Sequence, residues 1–137
     1  MQFHVGRLID HVHLRVAHLE ASKRFYRAVF IAIGRSDAFH EDQNHFSADE
    51  LWVDRAEGSV SRVHLAFQAV DRNAVEAFYQ AALGAGGRDN GAPGERSYHP
   101  GYYAAFVLDP DGNNIEAVFH GPSTRSASSV LIAPAGS

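Results

Sequence analysis

Ile9-Asp10-His11-Val12-His13-Leu14-Arg15-Val16 is an apolar, β-branched-rich stretch in which residues two apart share a face, the mark of a strand. It recurs. Displaced by 53 residues, His11 falls on His64, and the same shift sets Ala21 on Ala74, Phe25 on Phe78, Tyr26 on Tyr79, Ala28 on Ala81, Gly34 on Gly87 and Arg35 on Arg88. Apolar character matches as well, Val12 with Leu65, Leu14 with Phe67 and Ala17 with Val70. One ungapped shift carrying so many matches in a short chain marks two copies of one supersecondary unit.

Working outward, each copy opens with a strand, Leu8–Val16 and Arg62–Val70, and continues into a helix. In the second copy Val75, Phe78, Tyr79 and Ala82 form one buried stripe at helical spacing. Asp71 or Asn73 can cap its start, and Gly84, Gly86 and Gly87 stop it. Leu19, Ser22, Tyr26, Val29 and Ile33 trace the corresponding stripe in the first copy. Shorter apolar segments follow, Ala38–Phe46 and Glu50–Asp54 in the first copy, Tyr102–Leu108 and Asn114–Phe119 in the second. Asp109-Pro110-Asp111-Gly112-Asn113 reads as a turn between the last two. A hairpin symmetric about Asp111 puts Phe106 opposite Glu116 on one face. Gly91–Tyr103, rich in Gly, Pro and aromatics, reads as a long loop of the kind that serves ligands. The reading is one domain, with module one at about 7–57 and module two at about 60–120. Residues 121–137 form a tail expected to be mobile, in which Val130-Leu131-Ile132 could dock.

Composition narrows the function classes. Hydrophobic residues are 45% and charged residues 20% of 137, which suits a globular domain. A net charge of −4 supplies no electrostatic footprint for nucleic acid or an anionic membrane, so neither is expected as a partner. With no cysteine there is neither a disulfide framework nor a thiolate metal site. Met1–Arg7 has no apolar h-region, and no window is long and apolar enough to span a membrane. A soluble, cytoplasmic protein is the expectation.

Three residues carry the candidate chemistry: His11, its repeat mate His64, and Glu116. Equivalent positions on two paired halves can face each other across a shared cleft. Two imidazole nitrogens and a carboxylate then hold one side of a divalent cation and leave the rest open to substrate. Oxygen and nitrogen ligands admit Mn, Fe, Ni, Co or Zn. Glu116 sits among Ile115, Ala117 and Val118, where an unpaired buried carboxylate is costly. His13 shares the face of His11 and is the candidate general base. Trp52, Phe106, Tyr102 and Tyr103 are candidates to line a substrate pocket, ordinary core being the alternative for each. Arg96 and His99 can reach a ligand from the long loop. His4, His18, His40, His45 and His120 read as structural, and Asp109 and Asp111 as turn formers.

The stretch from Ile9 to Val16 with Leu19-Glu20-Ala21-Ser22 and Phe25-Tyr26 resembles the opening of a vicinal-oxygen-chelate module, the superfamily of glyoxalases, bleomycin-resistance proteins and extradiol dioxygenases. Val63-His64-Leu65-Ala66-Phe67 resembles the start of the second module, and Leu108 to Ala117, with its Asp-Pro-Asp-Gly-Asn turn, the closing hairpin. The resemblance covers roughly residues 7–120. It implies an α+β fold of two βαβββ modules in one chain, curving as a mixed sheet around a metal cleft, and a homodimer. In the fosfomycin-resistance branch the metal ligands fall where His11, His64 and Glu116 stand. That branch has threonine and tyrosine where His13 and Phe106 stand here, and its basic phosphonate loop has no counterpart. Glyoxalase I enzymes use a fourth ligand in the last strand of module one. The repeat alignment sets Leu51 opposite Glu116, with Glu50 next door.

The resemblance implies a metal-dependent enzyme acting on a small molecule with vicinal oxygens, as isomerase, lyase or thiol transferase. The alternative is a metal-free protein that sequesters a small molecule, as bleomycin-resistance members do. Extradiol dioxygenase chemistry is third, since those enzymes usually carry two such domains.

Overall fold

The computed structural model describes residues 3–136; Met1, Gln2 and Ser137, at the ends of the opening segment and the tail, lie outside the described residues. A short ribbon pairs β1 (Phe3–Val5) antiparallel with β10 (Val130–Ile132), so the tail residues expected to dock do so on the opening strand. Between them the chain builds two four-stranded sheets in succession. The first holds β2 (Val12–Val16), β3 (Phe39–Glu41), β4 (His45–Ala48) and β5 (Leu51–Arg55), with helix α1 (Leu19–Ala32). The second holds β6 (His64–Gln68), β7 (Arg88–Glu95), β8 (Tyr103–Leu108) and β9 (Asn114–Phe119), with helix α2 (Arg72–Gly84). Strand orders β2-β5-β4-β3 and β6-β9-β8-β7 are one path taken twice. In each the opening strand pairs parallel with the last, and the other pairs are antiparallel. The fold is α+β, two βαβββ modules in one chain.

Local chemistry explains most boundaries. Asp71 caps α2, its carboxylate accepting from the Ala74 amide at 2.8 Å. Gly87 follows α2 because a Cβ there would lie 2.5 Å from Val107 and 2.7 Å from Phe25.

Two expected segments divide differently. Ala38–Phe46 is a hairpin of β3 and β4 rather than one strand. Asp42 makes its turn, one carboxylate oxygen accepting from the amides of Asn44 (2.7 Å) and His45 (2.9 Å). Gly91–Tyr103 is not mainly loop, since β7 runs through Glu95 and only 96–102 connects it to β8. Its glycines and proline mark register shifts after Asp89 and after Gly91 on an edge strand, where such residues are tolerated.

One hydrophobic core serves both modules. Leu14, Val16, Phe25, Tyr26, Val29, Phe46 and Val53 of the first join Val75, Phe78, Ala82, Ala105, Val107, Ile115 and Ala117 of the second, and α1 packs on α2. Strand alternation leaves the opposite face of each sheet turned away from this core.

The Asp109–Asn113 turn links the modules. Buried Asp109 accepts the Tyr26 hydroxyl at 2.6 Å, the Asp111 and Asn113 amides at 2.9 and 2.8 Å, and the Asn113 side-chain amide at 3.0 Å. Asp111 accepts from Ala17 N–H at 3.1 Å, and Asn113 from Val63 N–H at 2.7 Å. Gly112 supplies the turn's positive φ of 88°. Asp109 and Asp111 are turn formers, as their motif implied, and Asp109 also reaches across to α1.

Candidate functional site

On the outward face of the second sheet, His64 stands at the start of β6 and Glu116 in the middle of β9. His64 Nε2 lies 2.7 Å from Glu116 Oε1, and the Tyr102 hydroxyl donates to Glu116 Oε2. Glu116 is 2% exposed, and among the described residues no Arg or Lys pairs with it. Phe106 is the register partner of Glu116, as the symmetric hairpin required, and its ring lies 5.9 Å from that of His64. Arg96 lies over the Phe106 ring at 5.3 Å, its guanidinium held by the Ala92 carbonyl at 2.8 Å. Ala104, Phe106 and Val118, with Tyr102 against them, make a small apolar floor beside the pair.

Burial, the hydrogen bond to Glu116 and that carboxylate's charge together push the Tyr102 hydroxyl up to about 12 from its ordinary 10.0. It therefore remains a donor through the neutral range and occupies one of the two oxygens of Glu116. The other oxygen and the His64 nitrogen are left facing each other.

The first sheet presents a second set. Leu14 and Val16 point into the core, so His13 and Arg15 take the outward face of β2. His13 Nε2 lies 2.7 Å from Asp54 Oδ1 of β5. An ionised carboxylate can only accept, so Nε2 carries the hydrogen and Nδ1 keeps its lone pair. His13, Arg15, Asp54, Arg55 and Glu57 line a hollow of about 180 Å³. Trp52, register partner of His13, is 40% exposed and stacks on His45 at 3.9 Å and 8°. His45 is pinned in turn by Asp42 at 2.8 Å.

The expected residues thus form two groups. His64, Glu116, Tyr102, Phe106 and Arg96 come together, and His99 joins at the edge, its ring 5.3 Å from Tyr102. His13 and Trp52 share the other sheet. Tyr103 takes the core side of β8 with Arg72 over its ring at 4.4 Å, so it leaves the group predicted to line a pocket; successive strand residues face opposite ways. His11 precedes β2, exposed, with its Nδ1 2.8 Å from Asp10. Among the described residues no three His, Cys, Asp or Glu side chains gather as a metal-binding group, so one chain does not bring His11 to His64 and Glu116.

A larger hollow, about 980 Å³, runs between Ser47–Leu51, β6 and tail residues 125–130, and none of the three lines it. The counterpart of Glu116 in module one is Trp52, not Leu51. Ala66 pairs with Glu116, and its repeat mate His13 pairs with Trp52. Beyond the helices the repeat spacing lengthens from 53 residues to the 64 that separate Trp52 from Glu116, one fewer than the 65 that set Leu51 opposite Glu116. Leu51 is core and Glu50 lines the large hollow.

Asp54, His45 and His120 were missed as site residues. For Asp54 the available signal was strand parity with Trp52. His45 and His120 carried none, because their partners depend on the hairpin fold and on the loop path.

The profile of the Glyoxalase/Bleomycin resistance protein/Dioxygenase superfamily matches residues 8–117. Among solved structures, a glyoxalase/bleomycin resistance protein from Albidiferax ferrireducens is similar at 26% identity, over 82% of this chain and 98% of that one, with a TM-score of 0.70. A glyoxalase-related enzyme from Fulvimarina pelagi shares the fold at 21% identity (88% and 99% covered, TM-score 0.65). So does a lactoylglutathione lyase from Agrobacterium tumefaciens at 21% identity (80% and 91% covered, TM-score 0.57). No curated protein matches the chain. No helix among the described residues is long and apolar enough to cross a membrane.

Proposed function

The chain belongs to the glyoxalase/bleomycin resistance protein/dioxygenase superfamily, and from that premise we propose that it is a divalent-metal-dependent enzyme acting on a small molecule with neighbouring oxygens. The observation that carries the reading is the His64–Glu116 pair. A carboxylate 2% exposed, with an imidazole nitrogen 2.7 Å from one oxygen and a tyrosine hydroxyl on the other, is a desolvated charge whose remaining demand a cation meets. Nitrogen plus oxygen suits Mn, Fe, Co, Ni or Zn. The fit is to half a site, because the described residues of one chain supply no third ligand. The exposed His11 of a second copy is the ligand that completes it, which makes the working unit a homodimer.

When bound, the metal supplies Lewis-acid stabilisation of negative charge developing on a chelated oxygen. The chain's own residues do the rest. Tyr102 holds Glu116 through one oxygen, which leaves a single oxygen for the cation. His64 would hold the cation through Nε2 with its proton on Nδ1. On the copy that supplies His11, His13, oriented by Asp54, keeps Nδ1 free to take up or return a proton at the substrate. Phe106, Trp52 and Arg96 offer apolar, stacking and cationic contacts. The reaction is of isomerase, lyase or thiol-transferase type.

A metal-free sequestering protein is the second reading, supported by the lack of a third ligand among the described residues of one chain. Elemental analysis of freshly purified protein decides between them. The enzyme reading expects wild type to hold about one equivalent of first-row metal per chain more than His64→Ala. A metal-free wild type, or a wild type holding no more metal than His64→Ala, rejects it.

A further inference from the structure

Beside the His64–Glu116 pair, with Tyr102 between the two, a second pair of imidazoles meets at one end of the second sheet. His99, in the 96–102 connection, and His120, just after β9, bring Nε2 and Nδ1 to 2.8 Å across 21 residues of chain. Their rings stack at 5.1 Å and 20°, and Tyr102 packs edge-on against both. The backbone under them is tight, since a Cβ on Gly101 would meet the His120 carbonyl at 3.2 Å and Gly121 Cα at 3.4 Å. The chain path thus brings the backbone of the 96–102 connection against that of His120, which sets the two exposed histidines side by side.

His99 Nδ1 faces the Pro100 carbonyl at 2.8 Å. A carbonyl only accepts, so Nδ1 carries the hydrogen and Nε2 of the neutral ring is a lone pair. A ring N–H tied to a backbone carbonyl is the arrangement that orients metal-ligating histidines. At bond lengths of about 2.1 Å, two nitrogens this far apart subtend an angle of roughly 85° at a shared ion, as neighbouring ligands do in octahedral or square-planar coordination.

We infer that His99 and His120 form a two-histidine site for a first-row divalent cation with affinity for imidazole (Ni, Cu or Zn), separate from the His64–Glu116 site. Without metal, His120 Nδ1–H donates to His99 Nε2. Metal replaces that hydrogen as His120 moves its proton to its other nitrogen, with no net proton release from the neutral pair. Protonation of either ring competes with binding, so affinity falls as the solution is acidified. Water or a ligand's donor atoms fill the remaining positions.

The test is titration of untagged protein with Ni²⁺ at pH 7.5, followed by calorimetry. The background is His64→Ala/Glu116→Gln, compared with the same background carrying His99→Asn or His120→Asn. The inference expects one Ni²⁺ per chain in the background, weakened about tenfold or more by either added substitution. No binding in the background, or affinity unchanged by His120→Asn, overturns it. The His64–Glu116 reading is checked separately by the equivalent lost between wild type and background.

Discussion

At the scale of single residues, Tyr102 ties the site to pH. Its raised pKa means that the folded protein favours the neutral hydroxyl. Any stability it contributes is complete below the ordinary value of 10.0 and is lost as the pH climbs from there to about 12. A tyrosinate absorbance titration should show a late step near pH 12 that Tyr102→Phe removes. Glu116→Gln should move it part of the way back toward 10, since burial is the larger cause. A step that ignores Glu116→Gln would mean that the hydroxyl and carboxylate are not joined in solution. Ser22 offers the opposite case. It is fully buried in α1, its hydroxyl has no hydrogen-bond partner among the described residues, and its repeat mate is Val75. Removing an orphaned polar atom costs nothing in hydrogen bonds, so Ser22→Ala should leave stability unchanged or raise it by up to about 1 kcal/mol. A clear fall in the urea midpoint would contradict this. Neither effect was legible in the sequence, because each depends on what lies opposite the side chain.

At the scale of elements, the Asp109–Asn113 turn does more than reverse the chain. The carboxylate of Asp109 gathers the Tyr26 hydroxyl, two amides of its own turn and the Asn113 side chain while 2% exposed. Asp109→Ala strands those donors in the interior, and the expected cost is about 3 kcal/mol, read from chemical denaturation. Tyr26→Phe should cost less, since it removes one donor and leaves the rest. Equal costs would mean that the turn contributes only through α1. The strands β2, β5, β6, β8 and β9 and their order along the chain were readable from periodicity and the repeat, and so was the opposition of Phe106 to Glu116. The splitting of Ala38–Phe46 and the extension of β7 were not. Asp42 turns the chain with a single side chain, and β7 carries its glycines as bulges on an edge, so local composition resembles strand in one case and loop in the other.

At the scale of the whole molecule, the shared core decides where chemistry can occur. Because α1 and α2 pack together under both sheets, the two faces bearing titratable groups are separate surfaces of one chain. If a twofold dimer brings His11 of one copy to His64 and Glu116 of another, His11→Ala and His64→Ala should each remove that site's equivalent of metal. An exchanged mixture should recover about one-quarter of it, because half the dimers are mixed and each has one intact site of two. No recovery despite verified subunit exchange would reject a shared site.

The amino-acid sequence alone specified two copies of a unit of one strand, a helix and further strands; the family resemblance made these βαβββ, and His11 and His64 with Glu116 were nominated. Those features depend on strand and helix periods and on a motif contiguous in the chain. Tertiary structure decided that His11 stays apart from them within one chain, that Trp52 stands where Glu116 has its counterpart, that Tyr103 turns inward, and that His99 meets His120. Each of these follows from register or from the route of a connection, and a change of one residue in either exchanges inward for outward without altering the local pattern.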